Sequence, residues 1–226
     1  LDPVAHVRVK VCCIADRGEA AMAVAAGASA LGLVSEMPSG PGVLSEPAIA
    51  EVAATVPPGV ATFLLTCLQD ADAIVAQQRR CRTSTVQICD ALTGGTYGQL
   101  RAEVPGISIV QVIHVVDESA IGEAVVVAPH VDAILLDSGT PNGAVKTLGG
   151  TGNRHDWTTS RRIREAVDVP VYLAGGLRPE NVAEAIATVG PFGVDLCNGA
   201  RTAGRLDAAK LMAFMRAAGR GGVSPP

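Results

Sequence analysis

The chain has 226 residues, 48% apolar and 18% charged, which suits a folded domain and excludes intrinsic disorder. A net charge of −4 and few aromatic residues give neither the basic stripe nor the stacking platform of a nucleic-acid binder. The reading also expects no membrane segment and no secretory leader, and six cysteines without a framework of spaced pairs point to free thiols in a reducing cytoplasm.

Short, mostly continuous apolar runs alternate with Ala-rich stretches, as in a parallel sheet covered on both faces. The first predicted strand is Val7–Cys12, followed by a helix over Asp16–Ala26. A strand over Ala30–Val34 leads to the segment Ser35–Leu44, and Ser45 with Pro47 signals a helix over Ala48–Ala54. Further strands follow at Ala61–Leu65, Thr85–Ile88, Ser108–Ile113 and Ala133–Leu136. The last two are Val169–Leu173 and Gly193–Leu196. Between and after them, Pro179 opens a predicted helix to Val189, and Asp207 caps one over Ala208–Ala217.

The predicted strand ends fall near Cys12, Val34, Thr66, Cys89, His114, Asp137, Ala174 and Cys197, at intervals of 22, 32, 23, 25, 23, 37 and 23 residues. Eight strand–helix units at this spacing predict a (β/α)8 TIM barrel, class α/β, over residues 1–218, with a Gly- and Pro-rich flexible tail at 219–226. The two long intervals mark Ser35–Leu44 and the glycine-broken segment Asp137–Trp157, and loops after the strands are where such barrels carry function.

Three segments in these loops are candidates for holding a phosphate by backbone N–H groups. They are Gly149, Gly150, Thr151 and Gly152 after the sixth strand, Gly175 and Gly176 after the seventh, and Asn198 and Gly199 after the eighth. The alternative is that their glycines serve only as turn residues, and their joint placement favours the phosphate reading. Cys12 and Asp137 both end strands, and a thiol with a carboxyl can form a proton-transfer pair. The bland alternatives are a small buried hydrophobe and a loop-capping carboxylate. Cys12, Cys13, Cys89 and Cys197 with His114 lack the ligand spacing of a zinc site, so no metal is expected.

These motifs together resemble the phosphoribosylanthranilate isomerase family of tryptophan biosynthesis. Lys10-Val11-Cys12 is similar to its opening motif, and Leu135-Leu136-Asp137 to its sixth strand. Gly149–Gly152 with Asp156-Trp157, Leu173–Leu177 with Pro179–Val182, and Gly193-Val194-Asp195 with Gly199 are similar to its later loops. The resemblance implies an Amadori rearrangement of an N-(5′-phosphoribosyl) amine, with Asp137 as acid, Cys12 as base and no cofactor. It also implies a small phosphorylated sugar as partner, acting on a monomer or homodimer.

The chain departs from the family pattern at four places. Cys13 replaces a glycine, Gly42 stands in the register of an arginine near the anthranilate ring, Cys89 replaces a histidine, and Cys197-Asn198 replaces two serines. Cys13 is read as a space-filling residue behind the site, because successive strand residues point to opposite sides. The missing arginine keeps two alternatives open: an isomerase or lyase for a different phosphosugar, and a non-catalytic phospho-ligand binder.

Overall fold

The computed structural model describes residues 7–38, 40–139 and 156–221. Eight parallel strands close into a barrel in sequence order. They are β1 Arg8–Val11, β2 Ala30–Val34, β3 Ala61–Thr66, β4 Thr85–Ile88, β5 Ser108–His114, β6 Ala133–Asp137, β7 Val171–Leu173 and β8 Gly193–Leu196. Closure is made by β1 against β8, with Arg8 opposite Gly193 and Val11 opposite Leu196. Helices α1 Arg17–Ala25, α2 Glu46–Ala53, α3 Ala71–Cys81, α4 Tyr97–Glu103, α5 Ser119–Val127, α6 Trp157–Ala166, α7 Val182–Val189 and α8 Ala208–Gly221 follow the strands. A short antiparallel pair, β9 Arg201–Thr202 with β10 Arg205–Leu206, lies between β8 and α8. No helix among the described residues is long and apolar enough to cross a membrane.

The two-residue period of the strands divides the core in two. Val9 and Val11, Leu31 and Leu33, Ile134 and Leu136, and Val194 and Leu196 pack against the helices. The alternate positions, among them Cys12, Phe63, Val110, Val112, Leu135 and Tyr172, fill the barrel interior. Gly193 makes room for the large Tyr172 ring: a Cβ there would lie 2.6 Å from Tyr172 Cε1.

Helix starts follow side-chain capping. Asp16 accepts from the N–H of Glu19, and Ser45 accepts from the N–H of Ala48. Two expectations shift. The predicted helix start at Pro179 moves to Val182, because Asn181 captures the preceding backbone: it accepts from Arg178 N at 2.9 Å and donates to Gly176 O at 3.0 Å. Helix α8 continues to Gly221, into the expected tail, carried by a face that buries Leu211, Phe214 and Ala218.

Candidate active site

An open cavity of about 250 Å³ lies at the C-terminal mouth of the barrel, close to the lower bound of roughly 300 Å³ for small-molecule sites. Cys12 reaches it from the end of β1 and Asp137 from the end of β6. Gly175 and Gly176 line it after β7, and Asn198 and Gly199 after β8. Barrel order places β7 and β8 between β6 and β1. The glycine turns therefore occupy the arc of the mouth that joins the carboxyl to the thiol. Gly149, Gly150, Thr151 and Gly152 lie outside the described residues.

The two turns are built for close approach. Gly175 and Gly176 have φ of +83° and +64°, a left-handed pair that glycine adopts without penalty. A Cβ on Gly199 would lie 2.1 Å from the Leu177 carbonyl oxygen, so only glycine lets the β8 turn pack on the β7 turn. Arg178, on the same β7 turn, also lines the cavity, and its exposed guanidinium lies 3.6 Å from Glu180 Oε2.

Cys13 overturns the expectation placed on it. It lines the cavity beside Cys12, and its Sγ lies 2.7 Å from Cys197 Sγ. The alternation rule fails because Cys13 is not extended: its φ is +61°. The chain turns at the position where the resembling family carries glycine, and a glycine would adopt that conformation freely. Gly42, at φ +79°, packs on this turn, and a Cβ there would lie 2.7 Å from Cys13 Cβ. Its position therefore has no space for an arginine while Cys13 keeps its place.

The charges at the mouth are set from beneath. Lys10 is fully buried and donates to Asp195 Oδ2 at 2.8 Å, while Asp195 also lines the cavity. Asp195 Oδ1 is buried with no hydrogen-bond partner among the described residues. Burial opposes charge on Lys10, but Asp195 and the thiols outweigh it and hold the ammonium protonated. The Cys12 thiol is held below the ordinary range, first by hydrogen bonding with the Cys13 thiol and then, against burial, by Lys10. The Asp137 carboxyl is pushed up by burial, with Asp195 adding to it; Ser138 N–H, His114 and Lys10 pull the other way. Burial pushes the Cys89 thiol up. The site thus shifts Cys12 toward the thiolate and Asp137 toward the protonated acid.

Behind the cavity, Arg201 ties the loops after β1 and β8. It donates to both Glu19 carboxylate oxygens, to the carbonyls of Cys12 and Cys13, and to Gly204 O. Glu19 also accepts from Ala15 N and Leu206 N. Among the described residues, no cluster of three or more His, Cys, Asp or Glu side chains is arranged to hold a metal ion.

Sequence reasoning singled out Cys12, Asp137 and the glycine turns, but not Asp195, Lys10, Arg178 or Arg201. For Lys10 the signal was present: it stands two residues before Cys12 and so shares its strand face. Asp195 lies two residues before Cys197 on the interior face of β8. Arg201 had no local signal, since its partners Glu19, Cys12 and Cys13 are remote in sequence.

A closed (β/α)8 barrel with a thiol, carboxyls and glycine turns gathered at the C-terminal mouth defines a barrel enzyme of the kind that works through its βα loops. The family model for N-(5′-phosphoribosyl)anthranilate (PRA) isomerase matches residues 9–217, and the chain belongs to that family. The N-(5′-phosphoribosyl)anthranilate isomerase of Haloferax volcanii is 38% identical over 213 residues, covering 93% of this chain and 92% of the relative. Phosphoribosyl anthranilate isomerase from Thermotoga maritima has a similar solved structure, with a TM-score of 0.78 and 27% identity over 94% of this chain and 98% of that one. Another, solved in complex with reduced 1-(o-carboxyphenylamino)-1-deoxyribulose 5-phosphate, has a TM-score of 0.75 at 24% identity, covering 94% and 98%.

Proposed function

We propose that this chain catalyses the Amadori rearrangement of N-(5′-phosphoribosyl)anthranilate, with Asp137 as general acid and Cys12 as general base. Asp137 donates a proton to the ribose ring oxygen, and the ring opens to a Schiff base. Cys12 removes the C2′ proton, and the resulting enol becomes the ketone of the product. Protons and electrons balance within the substrate, so the step needs no external oxidant. The observation that carries this reading is that Cys12 and Asp137 reach one cavity from β1 and β6, with the glycine turns on the arc between them.

The protonation states suit the roles. A carboxyl raised by burial keeps a proton to give, and a thiol lowered by its neighbours is a competent base. The phosphate sits against Gly175, Gly176, Asn198 and Gly199. Arg178 adds positive charge on the same turn. Asp195 Oδ1 accepts from a sugar hydroxyl. One chain supplies both reacting groups, so a monomer or a homodimer is equally competent. Six free thiols fit a reducing cytoplasm.

The deciding experiment mixes the purified protein with N-(5′-phosphoribosyl)anthranilate and follows the loss of anthranilate-type fluorescence. Turnover in the parent that disappears in Cys12→Ser and in Asp137→Asn is the expected result. A folded parent that leaves the compound unchanged would overturn the assignment and favour a different phosphosugar. That reading has its own observation: Ser35–Leu44 carries no basic residue to meet the anthranilate carboxylate.

A further inference from the structure

Lys10 is among the largest fully buried side chains of the described residues, and the one that carries a charge among them. An ammonium in that position is costly, and a hydrophobic residue of similar volume would fill the space without the desolvation penalty. Its surroundings show what the charge is near. It shares the interior face of β1 with Cys12, and it donates to Asp195 across the seam between β1 and β8. Its ammonium also lies 5.3 Å from the centre of the Phe63 ring, which closes the space below it.

Gly32 on β2 defines the gap between the cation and the sulfur. A Cβ at Gly32 would lie 2.7 Å from Cys12 Sγ and 3.1 Å from Lys10 Nζ. Sulfur and ammonium are therefore less than about 6 Å apart, within the range over which one charge governs the titration of another. Asp195 spends one oxygen on Lys10 and keeps the other, Oδ1, without a partner among the described residues. A hydrophobic residue in place of Lys10 would leave both Asp195 oxygens unpaired and Cys12 with no cation beneath it.

We propose that Lys10 is a positioning residue of the reaction: a buried ammonium that stabilises negative charge on Cys12 Sγ and fixes Asp195 with its second oxygen toward the substrate. It is not among the residues that line the cavity. The proposal rests on the role given to Cys12 above. The charged and titratable groups around Cys12 are Lys10 on its own strand, Cys13 beside it, Asp195 on β8, Cys197 just after β8, Cys89 just after β4, Asp137 across the cavity, and Arg201, which donates to the Cys12 and Cys13 carbonyls. Lys10 is the cation on the interior face that Cys12 shares.

The test is the pH dependence of Cys12 alkylation by iodoacetamide on the full chain. It is read by fragmentation of the peptide carrying Cys12 and Cys13, so that each thiol is followed separately. The parent profile lies below the ordinary thiol value of about 8.5. In Lys10→Met it moves upward by about 1–2 pH units, which is at least about tenfold slower alkylation near neutrality. Lys10→Met with Asp195→Asn removes both buried charges, and its profile falls between those two. Asp195→Asn alone leaves the ammonium unopposed and moves the profile down, an arm that remains readable if Lys10→Met does not fold. Lys10→Arg keeps the charge and the low profile. A folded Lys10→Met or double variant that titrates like the parent, or an Asp195→Asn profile that does not fall, overturns the proposal. Because alkylation needs no turnover, failure here is separate from failure of the Cys12 base assignment, which Cys12→Ser tests through turnover alone.

Discussion

Replacing Arg201 with Met should cost about 3 kcal/mol of stability at neutral pH. Removing one partner of a buried ion pair usually costs about 3–5 kcal/mol, because the other charge remains buried without compensation. Arg201 and Glu19 are 5% and 3% exposed, which puts them in that class rather than among weak surface pairs. Glu19 keeps the N–H groups of Ala15 and Leu206 in the variant, and this places the loss at the lower end. For a chain of 226 residues, unfolding entropy of about 2.1 cal/mol/K per residue converts 3 kcal/mol to a fall of roughly 6 °C in Tm.

The pH dependence gives the prediction its sign. Burial alone would raise the Glu19 carboxyl, but Leu206 N–H, Arg201 and Ala15 N–H together hold it below the ordinary range. Its contribution is therefore complete above the unfolded value of about 4.3 and is lost as pH falls through the lower folded value. The parent loses in acid what the variant already lacks, so the gap between them narrows below about pH 4. Urea unfolding of both proteins from pH 7 to pH 3 measures this. A gap under about 1 kcal/mol at pH 7, or one that does not change with pH, refutes the reasoning.

Gly199→Ala brings a Cβ to 2.1 Å from the Leu177 carbonyl and forces the β7 and β8 turns apart. Steady-state kinetics should show a KM for the phosphorylated substrate raised about tenfold or more, with the binding of a non-phosphorylated analogue little changed. Gly42→Ala should destabilise by about 1–2 kcal/mol from its left-handed backbone alone, and by more from the contact with Cys13, as read by denaturant midpoint. Cys13→Gly in the same background should recover part of that loss. The kcat/KM profile should rise as Cys12 deprotonates and fall as Asp137 does. Asp137→Asn should remove nearly all turnover while substrate affinity stays within about threefold, measured by direct binding.

Much of the barrel was legible because strand periodicity and capping are local. Ala30–Val34, Thr85–Ile88 and Gly193–Leu196 were read at their observed bounds, and Asp16 and Ser45 announced their helices by side-chain chemistry that acts within three residues. The same local rule put Cys12 and Asp137 at strand ends and hence at the mouth. It failed at Cys13, whose left-handed φ breaks the alternation and turns the thiol into the cavity wall. It failed again at Pro179, where Asn181 bonds the turn and delays the helix. Lys10 and Asp195 were present in recognisable motifs, but their pairing spans 185 positions and exists only once β8 closes on β1. Sequence by itself determined the eight-unit barrel and the thiol and carboxyl at its mouth, because periodicity and spacing are properties of neighbouring residues. Only the tertiary structure decided what charge stands beneath the thiol, which carboxylate oxygen is left without a partner and which turn demands glycine, because each depends on contacts between strands far apart in the chain.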